Sequence, residues 1–253
     1  MLHAIFHWFH DQSFGSWVLF SILSNFVIAG SSIAGCWWVQ RQFRSRAIFE
    51  HPQPLKEHDA ALALGCILLN SCVSIAGWVL WKSGWITLTF PGVLRTVFDL
   101  AVLLVYMDAG MYVTHLLVHH PALFGIVHQT HHAHVSTNPL SLFVLNPLEV
   151  FGFGGLMISA LVLFPLSAIA VVLYLNLNIL FGTLGHAGVE PFPAGWFANR
   201  FVRQIGTSTF HGQHHANPRF NFGFYTVIWD RLFGTIHPDY DRAVKRNALG
   251  NAV

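Results

Sequence analysis

Residues 150–185 read VFGFGGLMISALVLFPLSAIAVVLYLNLNILFGTLG and carry no charged side chain. A bilayer core of ~30 Å takes about 20 apolar residues as a helix. The stretch is therefore too long for one ordinary crossing and barely enough for two. Pro165 sits near its middle, where it removes a backbone donor and breaks a helix. We read a tight helical hairpin that either crosses and returns or dips in and returns. Both arms then open on the same side of the membrane.

Three upstream runs complete the membrane pattern. Ser13 to Val39 and Ala60 to Trp81 hold no charge, and a third run from about Val93 to Thr114 holds Arg95, Asp99 and Asp108. Charges at membrane depth are costly and belong toward the protein interior, so Asp99 reads as the partner of Arg95, four residues earlier. Composition agrees, with 54% hydrophobic residues, 9% charged and a mean hydropathy of +0.52, against about 25% charged in soluble domains. The net charge of +2 gives no reason to expect nucleic acid. Cys36, Cys66 and Cys72 lie in apolar stretches and read as small buried apolar residues. The length fits one domain, residues 1–253. The first twelve residues hold no Lys or Arg, so no secretory signal is expected. His3, His7 and His10 recur among aromatic residues and suggest a short interfacial helix.

Charge sets the expected orientation. Of the 13 Lys and Arg residues, only Lys82 and Arg95 lie outside the 40–59 loop and the segment from Arg200 onward. The positive-inside rule puts both basic regions in the cytosol. The third span then delivers His115 to the cytosolic face, and the hairpin returns His186 and His211 to it. The expected fold is all-α: three spans plus a helical hairpin, capped by a cytosolic, helical, histidine-rich domain.

Most of the 17 histidines fall in four groups on that face: His115, His119 and His120; His128, His131 and His132; His186; and His211, His214 and His215. Residues three and four apart share a helix face, so His128 with His132, and His211 with His215, can direct two imidazoles at one ion. The adjacent histidine, turned about 100°, reaches a second. The imidazoles number more than one ion can use, and a pair of ions is the natural count. Imidazole alone does not choose among Zn, Cu, Fe and Ni. His134 continues the second group. The lone His51, His58 and His237 read as packed or surface residues. Asp108, two helical turns before His115, Glu149 and Glu190 are candidates to orient an imidazole, Asp108 foremost; a helix cap or ion pair accounts for each equally well.

These stretches resemble the fatty acid hydroxylase and sterol desaturase superfamily of membrane di-iron enzymes. The matching residues are His115-Leu-Leu-Val-His119-His120-Pro121, His128-Gln-Thr-His131-His132, Asn138-Pro139-Leu140, Gly185-His186-Ala187-Gly188 and His211-Gly-Gln-His214-His215. The tail from Asn221 through Trp229-Asp230-Arg231 to Gly234-Thr235 resembles the family's ending, and the similarity covers about 95–240. The resemblance implies ligand positions at His115, His120, His128, His131, His132, His186, His211, His214 and His215, with His119 matching a family histidine of less defined role. It implies two iron ions, O2 as co-substrate, and attack on an unactivated C–H bond of a lipid, with no catalytic groups beyond the metal ligands. Three positions depart from the family pattern: Leu116 for Arg, Phe222 for Tyr, and Asn146 where the family has His before Pro-x-Glu149. The change at Asn146 bears on metal geometry or specificity.

The expected partners are the membrane, a lipid and an external electron donor, a ferredoxin or cytochrome b5 with its reductase, because no flavin, nicotinamide or iron–sulfur motif is visible. The expected setting is a bacterial inner membrane or the endoplasmic reticulum, as a multi-pass protein. Phe143, Phe151, Phe153 and Trp196 are candidates to line the substrate route. A transition-metal transporter, or a metal-binding membrane protein without oxygenase activity, is the alternative; it would place its ligands near the bilayer midplane on broken helices. A haem carrier would need isolated facing histidines rather than adjacent pairs.

Overall fold

The computed structural model describes residues 2–50 and 53–250; His51 lies outside them. The architecture is all-α apart from one short pair of strands. A short helix α1 (Leu2–His10) precedes α2 (Phe14–Gln42), α3 (Asp59–Lys82), α4 (Val93–Val118), α5 (Pro121–Val127), α6 (Pro147–Leu163), α7 (Ala168–Gly185), α8 (Ser208–Ala216), α9 (Ile228–Phe233) and α10 (Tyr240–Leu249). α2, α3, α4 and α7 are long and apolar enough to cross a membrane, and α6 is a shorter apolar helix.

The uncharged run breaks where Pro165 predicted, between α6 and α7. Ser167 restarts the chain by accepting the Ala170 N–H as an N-cap, satisfying one of the donors a helix start leaves open. Asn146 does the same for α6 through the Leu148 N–H, with Pro147 at the first helical position. Across the break, β2 (Leu166–Ser167) pairs in parallel with β1 (Leu88–Thr89). β1 lies between the end of α3 and the start of α4, so the hairpin apex reaches the end of the bundle opposite His115. At about 1.5 Å per residue, α6 and α7 rise about 25 Å each, close to a full hydrocarbon core.

The hairpin arms do not pack chiefly on each other. α6 packs on α3 and α4, α7 on α4 and α2, and α2 on α3, which closes a circuit of five helices. Each span turns apolar side chains outward, from Leu19 and Phe20 on α2 to Leu94, Val97 and Phe98 on α4, as lipid requires. Inside the circuit, Leu103, Met107 and Met111 of α4 meet Ala160, Leu166 and Tyr174. The α2–α3 seam is polar at one level, where Ser21 and Ser74 hydroxyls lie 3.2 Å apart and Trp17 Nε1 donates to the Ser74 carbonyl.

Arg95 and Asp99 in the third span pair as expected. Arg95 Nε donates to Asp99 Oδ1 at 2.5 Å, and Asp99 Oδ2 accepts the Ser167 N–H at 2.8 Å. One buried carboxylate thus neutralises Arg95 and ties α4 to the hairpin apex. Asp99→Ala orphans both donors and should destabilise the protein by about 2 kcal/mol or more. Arg95→Ala, at a half-exposed side chain, should cost under about 1 kcal/mol. Thermal melts in detergent check the order, and equal losses would contradict this account of the apex.

Candidate metal centre

The histidines gather where the spans end opposite the hairpin apex. α4 carries His115 in its last turn and His119 as its C-cap, one turn apart, with Nε2 atoms 3.3 Å apart. His128 caps α5, and His131 and His132 follow in a 3-10 turn rather than a continuous helix. The His132 N–H still reaches the His128 carbonyl at 3.3 Å, so the expected one-turn relation survives. His186 caps α7. α8, started by the Thr207 hydroxyl accepting the Phe210 N–H, carries His211, His214 and His215.

Two groups result. His115, His119, His128, His132 and His214 form one; His131, His186, His211 and His215 form the other. Within each, the ligand nitrogens lie within 4.8 Å of one another. In this division His128 shares a group with His132, His211 with His215, and the intervening His131 and His214 each join the opposite group. The expectation for His120 is corrected. Its side chain is exposed, and its Nδ1 accepts the Ala122 N–H at 3.3 Å, capping α5; Pro121 starts that helix and turns residue 120 outward. His119 takes the inward position instead.

The outer nitrogens decide what the inner ones can do. His115 Nδ1 lies 2.8 Å from the Phe222 carbonyl, His214 Nδ1 2.7 Å from that of Phe220, and His215 Nδ1 2.8 Å from that of His134. A carbonyl only accepts, so each Nδ1 carries the proton and each Nε2 is a bare lone pair. His186 Nδ1 lies 2.8 Å from the Ser141 hydroxyl, which donates its own proton to the Asn138 carbonyl, and this fixes the same tautomer. His211 Nε2 lies 3.0 Å from His186 Nε2 and 3.1 Å from His215 Nε2. One proton on His211 can satisfy only one of those lone pairs. The contacts His115–His128 at 3.1 Å and His132–His214 at 3.0 Å repeat the pattern in the other group. Nitrogens bound about 2.1 Å from a common ion sit about 3 Å apart, so the donor set fits a cation in each group.

Electrostatics agree. Burial, reinforced by neighbouring imidazoles, pushes the His186, His211, His214 and His215 ring pKa values well below the usual 6.5, and burial takes His131 down to about 3. The rings are held neutral, the form that binds metal.

The carboxylates divide. Glu149, buried, places Oε1 2.8 Å from His128 Nδ1, although the N–H points off the hydrogen-bond direction. Asp108 does not meet His115, which corrects the leading expectation. It accepts from the Tyr225 and Thr226 backbone, the Thr226 hydroxyl and Trp229 Nε1, because the C-terminal segment folds back over α4 and offers four donors. Asn146 serves as a helix cap and donates to the Ile126 carbonyl. Glu190 accepts the Thr209 N–H at the start of α8. His134 joins neither group; its ring pairs with Asp59 at 2.9 Å. Sequence reasoning missed Ser141 and the three carbonyls. Asn138 Oδ1 accepting the Leu140 and Ser141 N–H groups is a turn that the Asn-Pro-Leu-Ser string announces, whereas carbonyl contacts leave no mark in a sequence.

An apolar cleft beside the end of α7, walled by Phe181, Leu184, Phe210 and Phe224, reaches His186 and His211. Of the expected route residues, Phe143 is buried, Phe153 packs in the α4 core, and Phe151 and Trp196 are exposed; none lines this cleft.

A family model described as Fatty acid hydroxylase matches residues 100–235. The chain is 30% identical over 168 residues to a cholesterol 25-hydroxylase-like protein of Danio rerio, covering 65% of each chain. It is 24% identical over 207 residues to a Delta(7)-sterol 5(6)-desaturase of Eremothecium gossypii, covering 78% of this chain and 56% of the relative. It is 28% identical over 144 residues to a very-long-chain aldehyde decarbonylase of Oryza sativa, covering 54% of this chain and 22% of the relative. The chain thus spans less than two thirds of the length of each relative. No solved structure matches it.

The depressed histidine pKa values give a pH signature. An unfolded chain takes up protons near pH 6.5, while folded His131 stays neutral down to about 3. Stability is therefore full above pH 6.5 and is lost as pH falls through this window. Melts of metal-free protein in detergent should show a falling midpoint between those values. A flat profile would mean solvated imidazoles.

Proposed function

The chain belongs to the fatty acid hydroxylase family, and on that premise we propose that it is a membrane-bound, non-haem di-iron oxygenase that hydroxylates or desaturates an unactivated C–H bond of a lipid, using O2 and external electrons. The observation that carries this reading is the pair of inward-facing groups in which bare Nε2 lone pairs lie 3.0–3.1 Å from neighbouring nitrogens. Two iron ions held there supply the activation of O2 that attack on such a bond requires.

The chain's own residues do the rest. His115, His119, His128, His132 and His214 bind one ion; His131, His186, His211 and His215 bind the other. The Phe220, Phe222 and His134 carbonyls and the Ser141 hydroxyl hold the rings in the binding tautomer. Phe181, Leu184, Phe210 and Phe224 wall a narrow cleft beside His186 and His211 and limit water there. The names of the relatives, sterol desaturase and cholesterol hydroxylase-like protein among them, favour a sterol or similarly apolar lipid. The transporter reading finds no support here, because the imidazoles lie at span ends and beyond.

The positive-inside rule, applied to the basic 40–59 loop and the segment from Arg200 onward, favours a cytosolic histidine face. An acidic electron donor, a ferredoxin or cytochrome b5, can approach there, and Arg200, Arg203 and Arg219 are exposed to meet it. Arg231 is engaged by Asp241 at 2.6 Å.

Single substitutions in opposite groups test the reading. His214→Ala and His131→Ala should each lose about one of two iron ions and reduce activity more than about 100-fold, beyond the range seen when only an outer partner is removed. Iron analysis of purified protein and lipid profiles of expressing cells, read for one oxygen gained or two hydrogens lost, provide the measurements. Active protein that proves free of iron would overturn the proposal.

A further inference from the structure

Where the chain leaves the 3-10 turn of the second histidine group, side chains rather than backbone hold the Ala133 carbonyl and the Val135 N–H, and the carbonyl between them fixes a histidine of the site. The His134 carbonyl accepts the His215 Nδ1–H at 2.8 Å. What holds this short segment comes from the α2–α3 loop. Gln53 Nε2 donates to the Ala133 carbonyl at 2.8 Å, and Gln53 Oε1 accepts the Val135 N–H at 2.9 Å. Lys56 Nζ donates to the same Ala133 carbonyl at 3.1 Å. Asp59, at the start of α3, places Oδ2 2.9 Å from His134 Nε2, and the same oxygen accepts the Lys56 N–H at 2.7 Å. Asp59 and His134 are both fully buried. Gln53, Lys56 and Asp59 all lie outside the matched residues 100–235.

We propose that Gln53, Lys56 and Asp59 form a clasp that positions His215 through the backbone of residues 133–135, making the first two spans part of the metal centre. This rests on the reading that the histidine groups hold metal. The direction of a carbonyl is set by its peptide plane, and the planes on both sides of His134 are gripped: Ala133 by Gln53 and Lys56, Val135 by Gln53, and the intervening ring by Asp59. Releasing the grip lets the His134 carbonyl swing. The His215 ring then loses the acceptor that fixes its tautomer and its Nε2 direction. The same loop holds the other flank of this group. The Ile48 N–H donates to the Gly188 carbonyl, and the Arg46 carbonyl accepts the Glu190 N–H, both at 2.9 Å, just after His186. The clasp residues touch no ligand nitrogen of either group; they act as positioning residues.

The test uses the full chain in detergent, stripped of metal and titrated with Co2+ alone, with visible absorption reporting uptake. Wild type should take up two equivalents. Gln53→Ala and Asp59→Asn should each weaken one equivalent 10- to 100-fold, alter its visible spectrum and spare the other. His119→Ala, in the opposite group, should weaken the other equivalent. The metal-free melting temperature of Gln53→Ala, a partly exposed loop position, should stay at the wild-type value. Both equivalents binding Gln53→Ala with wild-type affinity would overturn the clasp, as would both weakening together with a fall in metal-free melting temperature. Wild-type protein that takes up no Co2+ would instead overturn the metal reading of the site, and the clasp with it.

Discussion

The fixed tautomer of buried imidazole is the constraint on which the rest of this structure depends. A neutral histidine offers one lone pair, and which nitrogen bears it is set by what the other nitrogen meets. Here the outer nitrogens of His115, His214 and His215 meet backbone carbonyls, and that of His186 meets a hydroxyl whose proton is already committed. The inner nitrogens are left as convergent lone pairs at separations that suit ligands of a common ion and that lone pairs alone would resist.

That arrangement requires carbonyls in particular places, and buried polar side chains put them there. Asn221, with a left-handed φ of 63°, donates to the Phe210 carbonyl and accepts the His237 N–H. Asp230 accepts the Phe222 and Gly223 N–H groups, and Asp108 gathers four donors from residues 225–229. Together they shape the segment whose carbonyls, at 220 and 222, fix two rings. The tail motif Asn221…Trp229-Asp230 thus supports the histidine groups without joining either of them. Burial raises the Asp230 pKa even though several hydrogen bonds favour its ionised form, a measure of how dry this support is.

The membrane architecture separates two jobs between its ends. At one end Asp99, Ser167 and the short strand pair lock the hairpin apex to the start of α4. At the other, α4 and α7 end on His119 and His186, and α3 starts from the loop that grips residues 133–135. Apolar lipid-facing spans contribute little specificity of their own; the ends fix the register of the bundle, and the histidines inherit it.

Much of this was written in the sequence. The uncharged run broken by Pro165 determined the two arms, and the His-x-x-His-His spacing determined which imidazoles share a group, because both follow from the fixed pitch of a helix and the fixed chemistry of a side chain. The tertiary structure alone decided that His119 faces inward while His120 caps α5, that Asp108 serves a distant turn rather than His115, and that carbonyls of Phe220, Phe222 and His134 hold the rings. Those outcomes depend on which segment arrives beside which. A backbone carbonyl is identical at every residue, so only its final position in space gives it a role.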